Sequence, residues 1–141
     1  MISVVITTYN RKVDIVMRAI HGVLAQSYDD LEIILVNDFP ENSKLAKEIG
    51  QELQKENLDK YIVNDKNHGA NFSRNVGLSN ANGEFIIFLD DDDYWYQEKL
   101  EKQVSEMKSH DIGIVACPYY LTDEEHHIFD IFVPIFHQKN L

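Results

Sequence analysis

Short apolar runs alternate with longer amphipathic segments along the chain, and the two patterns predict different elements. The short runs have the length and β-branched content of strands, whereas the longer segments repeat apolar residues at helical spacing. The predicted strands are Ile2–Thr7, Leu31–Asn37, Tyr61–Val63, Glu84–Leu89, Gly113–Cys117 and Ile128–Val133. The predicted helices are Val13–Gln26, Ser43–Glu56, Asn71–Ala81 and Gln97–Ser109. This alternation predicts an α/β fold with a mostly parallel, doubly wound sheet and helices on both faces.

Length and composition favour one soluble domain over residues 1–141. The chain has 141 residues, of which 44% are hydrophobic and 26% are charged, and these values disfavour general disorder. No apolar run reaches the roughly 20 residues of a transmembrane helix, and the first residues do not resemble a signal peptide. We therefore expect a cytoplasmic protein. The single cysteine, Cys117, excludes an internal disulfide, and we expect it to be buried in an apolar strand.

Negative charge is concentrated in the second part of the chain. The formal net charge is −11, and residues 80–141 carry 13 acidic against 4 basic side chains. Such a field disfavours nucleic acids and anionic membranes as main partners. Four of these acids are consecutive, Asp90 to Asp93, and they directly follow the strongest predicted strand.

Polar residues follow the carboxyl ends of the predicted strands, where parallel α/β sheets bind ligands. Tyr9 follows the first strand, Asp38 the second, and the four aspartates follow the fourth. Adjacent carboxylates repel one another, and a magnesium or manganese ion held by one or two of them would relieve that repulsion. A solvated acidic turn is the usual alternative, but the apolar strand before the cluster and the aromatic residues after it disfavour that interpretation.

Other nucleotide and metal motifs fit poorly. An EF-hand count that starts at Asp90 puts Trp95 where glycine is required, and the preceding segment is β-rich. Neither a Gly-x-Gly-x-x-Gly turn after the first strand nor a Gly-Lys-Ser/Thr loop occurs. Tyr9 suits stacking on a nucleobase, with a plain surface aromatic as the alternative. Arg74 suits a diphosphate, with a surface salt bridge as the alternative.

Four segments together resemble the nucleotide-binding half of a family-2 glycosyltransferase with the GT-A, Rossmann-like fold. They are Val4–Arg11, Ser27–Asp38, Gly69–Gly77 and Gly83–Trp95, in this order. The resemblance covers about residues 1–109. Phe39 and Pro40 depart from it, because a small Gly/Ser pair often stands at that point in the family.

The resemblance implies roles for eight residues. The implied donor-binding residues are Thr7, Tyr9, Arg11, Asp38, Arg74, Asp90 and Asp91, and the implied metal contact is Asp92. Tyr9 would stack on uracil or an equivalent base, and Asp38 would bind the imide edge of that base. Arg74 would face the diphosphate or the donor sugar, and Asp91 the ribose or sugar. The implied cofactor is Mn²⁺ or Mg²⁺.

The implied reaction is inverting, metal-dependent transfer of a sugar from a nucleoside diphosphate sugar, with a UDP-sugar as the expected donor. The acceptor, which is a saccharide, lipid or protein, is not identified. The family's base carboxylate lies in an acceptor-binding half, and this chain ends 48 residues after Asp93. We therefore expect a chain truncated after the donor-binding half, which binds donor but lacks the catalytic base. In the full-length enzyme a peripheral position at the membrane is compatible with this interpretation.

Two alternatives stay open. The first is a non-catalytic domain that binds nucleotide sugars or self-associates through the hydrophobic C-terminal strand, whose apolar residues are Phe129, Ile131, Phe132, Val133, Ile135 and Phe136. The second is a magnesium-dependent phosphotransfer domain in which one of the four aspartates becomes covalently phosphorylated.

Overall fold

The computed structural model describes residues 1–58, 60–110, 112–123, 125 and 127–134. The strands are β1 (Ile2–Thr8), β2 (Leu31–Asn37), β3 (Tyr61–Val63), β4 (Phe85–Asp90), β5 (Tyr119–Thr122) and β6 (Ile128–Phe132). The helices are α1 (Val13–Leu24), α2 (Ser43–Lys55), α3 (Ala70–Ser79) and α4 (Lys99–His110). None of these four helices combines the length and the apolar character that a membrane crossing demands.

The chain divides into two compact units, Met1–Leu100 and Glu101–Leu141, and each is described by itself. The assignment of residues 1–141 to one domain stays a prediction. The first unit holds a four-stranded parallel sheet in the order β3-β2-β1-β4. The chain runs from β1 through β2 to β3 and then crosses back to β4, so the direction of winding reverses between β1 and β4. This topology confirms the predicted mostly parallel α/β class.

The central strands β1 and β2 are apolar on both sides and are buried on both faces of the sheet. Val5 packs on one face in a cluster that includes Val36 and receives Val76 from α3. Side chains alternate along a strand, so Val4 and Ile6 point to the opposite face, and both are fully buried. Right-handed crossovers put α1 and α2 on one face and α3 on the other. Helices on both faces therefore follow from the strand order.

A glycine allows α3 to lie close to β1. A Cβ atom at Gly77 would lie 2.2 Å from Cγ1 of Val5, a distance that real contacts do not reach. Only glycine, which has no Cβ, leaves room for the Val5 side chain at this position. Gly77 therefore allows α3 to lie this close to the sheet. This helix carries Ser73 and Arg74 on its first turns.

The amino edge of the sheet holds a dense network around Glu32. Its carboxylate accepts hydrogen bonds from Ser3 Oγ at 2.5 Å, from the backbone N–H of Asn82 at 2.6 Å and from Lys60 Nζ. Burial alone would raise the pKa of Glu32, but the bonds from Lys60, Ser3 and Asn82 outweigh it and lower the pKa to about 2. Ser3 Oγ in turn accepts from the backbone N–H of Gly83 at 2.7 Å, which ties β4 to β1.

The second unit contains an antiparallel hairpin of β5 and β6. The predicted strand Gly113–Cys117 is wrong, because the first strand of this hairpin lies at Tyr119–Thr122. The turn explains the shift: the Asp123 carboxylate accepts from the backbone N–H groups of Glu125 and His127, so only residues directly before it can pair with β6.

The hairpin is exposed on all of β6, from Ile128 to Phe132. Cys117, expected to be buried in a strand, lies outside the strands and is partly exposed. Ile135 and Phe136, which belong to the predicted hydrophobic C-terminal segment, fall outside the described residues.

Candidate functional site

A pocket of about 500 Å³ opens at the carboxyl edge of the sheet. It lies where the winding direction reverses between β1 and β4, which is the usual ligand position in open α/β sheets. Its lining comes from the ends of β1, β2 and β4, from the loop before α3 and from the first turns of that helix. The lining residues are Thr7, Thr8, Tyr9, Arg11, Asp38, Asn67, Gly69, Ala70, Ser73, Arg74, Asp90, Asp91 and Asp92. The structure thus brings all eight predicted site residues together.

Sheet register explains why the acidic cluster reaches this pocket. Asp90 is the last residue of β4 and pairs with Thr7 of β1, one residue beyond the predicted strand end. The backbone then turns, with the N–H of Asp93 donating to the carbonyl of Asp90 at 3.1 Å. This turn displays neighbouring carboxylates in different environments.

Asp91 is the buried member of the cluster. Its residue is 4% exposed, and its carboxylate accepts from Thr8 Oγ1 at 2.6 Å and from Arg11 Nε at 3.1 Å. Burial raises the pKa of Asp91, although the bonds from Thr8 and Arg11 act in the opposite direction. The carboxylate is therefore held in one orientation at the base of the cluster.

Two half-exposed aspartates carry one arginine partner each. Asp92 accepts from Arg11 Nη2 at 2.9 Å, and Asp90 accepts from Arg74 Nη2 at 2.7 Å. Their side chains are 53% and 52% exposed. Arg11 thus serves two carboxylates at once, so guanidinium groups compensate the cluster only in part.

Asp93 shows the result of this incomplete compensation. Partial burial raises the pKa of its half-exposed carboxyl group, and the charges of Asp92, Asp90 and Asp91 raise it further, while Arg18 lowers it. Arg18 itself donates through Nη2 to the backbone carbonyl of Asp92 at 2.9 Å. The cluster therefore retains unbalanced negative charge that a cation would relieve.

The carboxylate oxygens of the aspartate cluster fit a hard divalent cation that a bound ligand also coordinates. Within the described part of the chain, no group of three His, Cys, Asp or Glu side chains could hold a metal ion by itself. Mg²⁺ and related ions usually take one or two protein carboxylates, with waters and substrate phosphates completing the coordination. Asp92 and Asp90 supply such oxygens beside the pocket. These residues suit a cation that binds with a phosphorylated molecule.

Asp38 stands at the opposite wall as a buried, hydrogen-bonded carboxylate. It is 3% exposed and accepts from Asn64 Nδ2 at 2.7 Å, from the Gly69 N–H at 2.7 Å and from the His68 N–H at 3.1 Å. These bonds outweigh the effect of burial and lower the pKa of Asp38. The ionised carboxylate thereby fixes the loop that leads into α3.

Aromatic residues form the outer part of this wall. Tyr9 is 49% exposed, and its ring meets the edge of Phe39 with centroids 5.0 Å apart and an interplanar angle of 72°. Phe39 is one of the two residues that depart from the family pattern, and it gives Tyr9 a fixed aromatic neighbour.

Three residues that organise the site were not among those predicted from the sequence. Thr8 holds Asp91, while Asn64 Nδ2 bridges Asp38 and the buried Oγ of Ser73, the latter at 3.0 Å. Thr8 and Ser73 adjoin predicted residues in the motifs, and Asn64 directly follows β3, so position alone was a signal. Their side-chain partners become visible only in three dimensions.

Comparison with known proteins agrees with this geometry. The model of glycosyl transferase family 2 matches residues 3–130. An uncharacterised glycosyltransferase of Methanocaldococcus jannaschii, MJ1057, is 33% identical over 135 residues, which are 95% of this chain and 47% of that protein. Three of the curated relatives are matched over 47%, 20% and 17% of their own lengths, so the chain spans half of such a protein or less.

Solved structures share the fold. S. aureus TarS 1–349 in complex with UDP has a TM-score of 0.65 and 26% identity, covering 78% of this chain and 32% of that one. The mannosyltransferase PcManGT from Pyrobaculum calidifontis, in complex with GDP-Man and Mn²⁺, has a TM-score of 0.69 over 82% of this chain and 34% of that one. At 21% identity, PcManGT supports the fold alone. Because the family model matches residues 3–130, which are most of this chain, the chain belongs to glycosyl transferase family 2.

Proposed function

We propose that this protein binds a nucleoside diphosphate sugar together with a divalent cation, as the donor-binding part of a glycosyltransferase. The observation that carries the proposal is the convergence of Tyr9, Asp38, Arg74 and the aspartate cluster in one pocket of a family-2 chain. The expected donor is a UDP-sugar, which is consistent with the UDP complex of the related TarS. The reaction proposed for the whole enzyme is inverting transfer to a saccharide, lipid or protein acceptor.

The base is assigned to the wall formed by β1 and β2. Tyr9 offers an exposed ring for stacking beside Thr7, and Phe39 limits the orientations that this ring can adopt. Asp38 is an ionised acceptor, so it selects bases with an N–H on the recognised edge, as in the imide of uracil. A base that presents only acceptors there would leave Asp38 unmatched.

The diphosphate is assigned to the opposite wall. Asp92 would hold Mn²⁺ or Mg²⁺, with Asp90 beside it and Asp91 toward the ribose or sugar. Arg74 and Arg11 would donate to phosphate oxygens. When bound, the cation would neutralise negative charge on the departing diphosphate. These residues bind and orient the donor, and we assign the catalytic base to none of them.

Calorimetric titration with UDP, GDP and dTDP, each with and without Mn²⁺, tests the proposal. We expect metal-dependent binding of at least one nucleotide, with UDP the tightest. Binding of none of the three in the presence of Mn²⁺ would contradict the proposal. Glu32→Gln is the matched control, because it removes a carboxylate charge at the opposite edge of the sheet and should leave binding unchanged.

A coupled assay of donor hydrolysis separates chemistry from binding. Turnover that disappears in Asp92→Asn while the variant stays folded would argue against an inert binding domain. Stable labelling of an aspartate by a phosphate mimic would instead support the phosphotransfer alternative.

A further inference from the structure

Arg11 contacts two neighbouring aspartates through different nitrogen atoms. Its Nε donates to Oδ1 of Asp91 at 3.1 Å, and its Nη2 donates to Oδ2 of Asp92 at 2.9 Å. The two partners differ in burial, since the side chain of Asp91 is 6% exposed and that of Asp92 is 53% exposed. The contact with Asp91 is thus sheltered from water, whereas the contact with Asp92 is open to exchange.

Asp91 forms a fixed anchor for the guanidinium group. Thr8 Oγ1 donates to Oδ2 of Asp91 at 2.6 Å, and Arg11 donates to Oδ1. Hydrogen bonds to both oxygens therefore fix the orientation of this carboxylate. A guanidinium group has five N–H donors. Arg11 can therefore keep its Nε bond to Asp91 and offer its Nη groups to a different anion in the pocket that it lines.

We propose that Arg11 is an exchangeable counter-ion of the cation site. In the unliganded protein the guanidinium group of Arg11 pairs with the Asp92 carboxylate. A divalent cation that binds Asp92 displaces this guanidinium group. The Nη groups of Arg11 then bind the diphosphate, while Nε keeps its hydrogen bond to Asp91. This inference rests on the proposed function, in which Asp92 is the cation ligand. It adds that Arg11 opposes binding of the cation alone and favours binding of the cation with the nucleotide.

The exchange predicts positive coupling between cation and nucleotide. A cation that arrives alone leaves the Nη groups of Arg11 without Asp92, whereas a cation that arrives with a diphosphate gives them a new anionic partner. Each ligand must then increase the affinity of the other by the same factor. Part of that coupling should vanish when Arg11 is removed.

The experiment is a titration of Mn²⁺ into the nucleotide-free protein, followed by the electron paramagnetic resonance signal of free Mn²⁺. Arg11→Met should bind Mn²⁺ about three- to fivefold more tightly than the wild type, the factor expected from losing one partly exposed competing ion pair. Arg18→Met is the matched control, because Arg18 donates to the backbone carbonyl of Asp92 and not to its carboxylate. It should change the Mn²⁺ affinity less than twofold.

Two further measurements locate the effect. The gain in Mn²⁺ affinity should disappear when Arg11→Met is combined with Asp92→Asn, because the Asp92 carboxylate that the first substitution frees is then absent. UDP should increase the Mn²⁺ affinity of Arg11→Met by a smaller factor than that of the wild type, after correction for Mn²⁺ bound to free UDP. If burial of an uncompensated Asp91 prevents Arg11→Met from folding, Arg11→Lys retains a charge there, but its single ammonium cannot bridge both carboxylates. It should show a gain of the same sign.

Unchanged or weaker Mn²⁺ binding by the Arg11 variant overturns the proposal, as does an equal gain in Arg18→Met, which would indicate general electrostatics. Neither outcome affects the proposed function, which fails only if the wild type binds no nucleotide in the presence of Mn²⁺.

Discussion

Glu32 at the amino edge of the parallel sheet and the aspartate cluster at its carboxyl edge have opposite surroundings. At the amino edge, donors from Lys60, Ser3 and Asn82 converge on one carboxylate, Glu32, and lower its pKa to about 2. At the carboxyl edge, adjacent aspartates share few guanidinium groups, and the pKa of Asp93 is raised. Donors satisfy the charge of Glu32, whereas the charge of the aspartate cluster exceeds that of its guanidinium partners.

This difference separates a stabilising network from a binding site. A carboxylate with a lowered pKa contributes to the free energy of unfolding, whereas one with a raised pKa reduces it. Clusters that cost stability tend to occur where a ligand later supplies the missing charge. Four experiments test this difference between Glu32 and the aspartate cluster.

The largest effect is expected at the carboxyl edge, for Asp92→Asn. We expect Mn²⁺-dependent affinity for UDP to fall by at least roughly 10- to 100-fold, because loss of a residue that only supports a metal ligand already costs that much. The free energy of unfolding should change by less than about 0.5 kcal/mol, because the side chain is half exposed. Calorimetry measures the UDP affinity, and urea titration measures the free energy of unfolding. An unaltered UDP affinity would show that Asp92 is not part of the binding site.

The reciprocal change at the amino edge is Glu32→Gln. It replaces an acceptor of the Lys60 charge with a neutral amide, so the free energy of unfolding should fall by about 1–2 kcal/mol. Affinity for UDP should stay unchanged. A urea titration that shows equal stability would mean that the Glu32 network does not hold this edge together.

The pH dependence of that same stability difference gives a finer test. The pKa of Glu32 is about 2 in the folded protein and near 4.5 ordinarily. Its charge therefore contributes fully above about pH 5, and the contribution is lost as the pH falls from 4.5 toward 2. We expect the stability of wild type and Glu32→Gln to converge over that range in urea titrations at successive pH values. A stability difference that does not change with pH would mean that Glu32 stabilises the protein through packing and not through its charge.

The smallest effect is expected for Asp93→Asn. Because the folded state raises the pKa of Asp93, its ionised form opposes folding above that pKa, and the amide should increase the free energy of unfolding at pH 7. Since Asp93 is exposed to screening solvent, the gain should stay below about 0.5 kcal/mol. Thermal unfolding detects it as a slightly higher Tm, and Mn²⁺ should reduce the advantage over the wild type.

Most of the first unit could be predicted from hydrophobic periodicity. Segments such as Leu31–Asn37 are apolar on both faces, and only a sheet covered on both sides buries them. One strand prediction failed in the second unit, because Gly113–Cys117 has strand composition but pairs with no strand among the described residues. Local propensity does not specify pairing, and the turn at Asp123 set the register of the hairpin instead.

The amino-acid sequence was enough to predict the fold class and to bring Tyr9, Asp38 and the aspartate cluster to one edge of the sheet, because parallel strands end at the same edge. Which side chains hydrogen-bond to one another became clear in three dimensions alone. Thr8 meets Asp91 across 83 positions, and Asn64 joins Asp38 to Ser73. Hydrogen bonds require donor–acceptor distances that are correct to within a few tenths of an ångström. Between remote residues such distances are set by packing, which no local pattern in the sequence encodes.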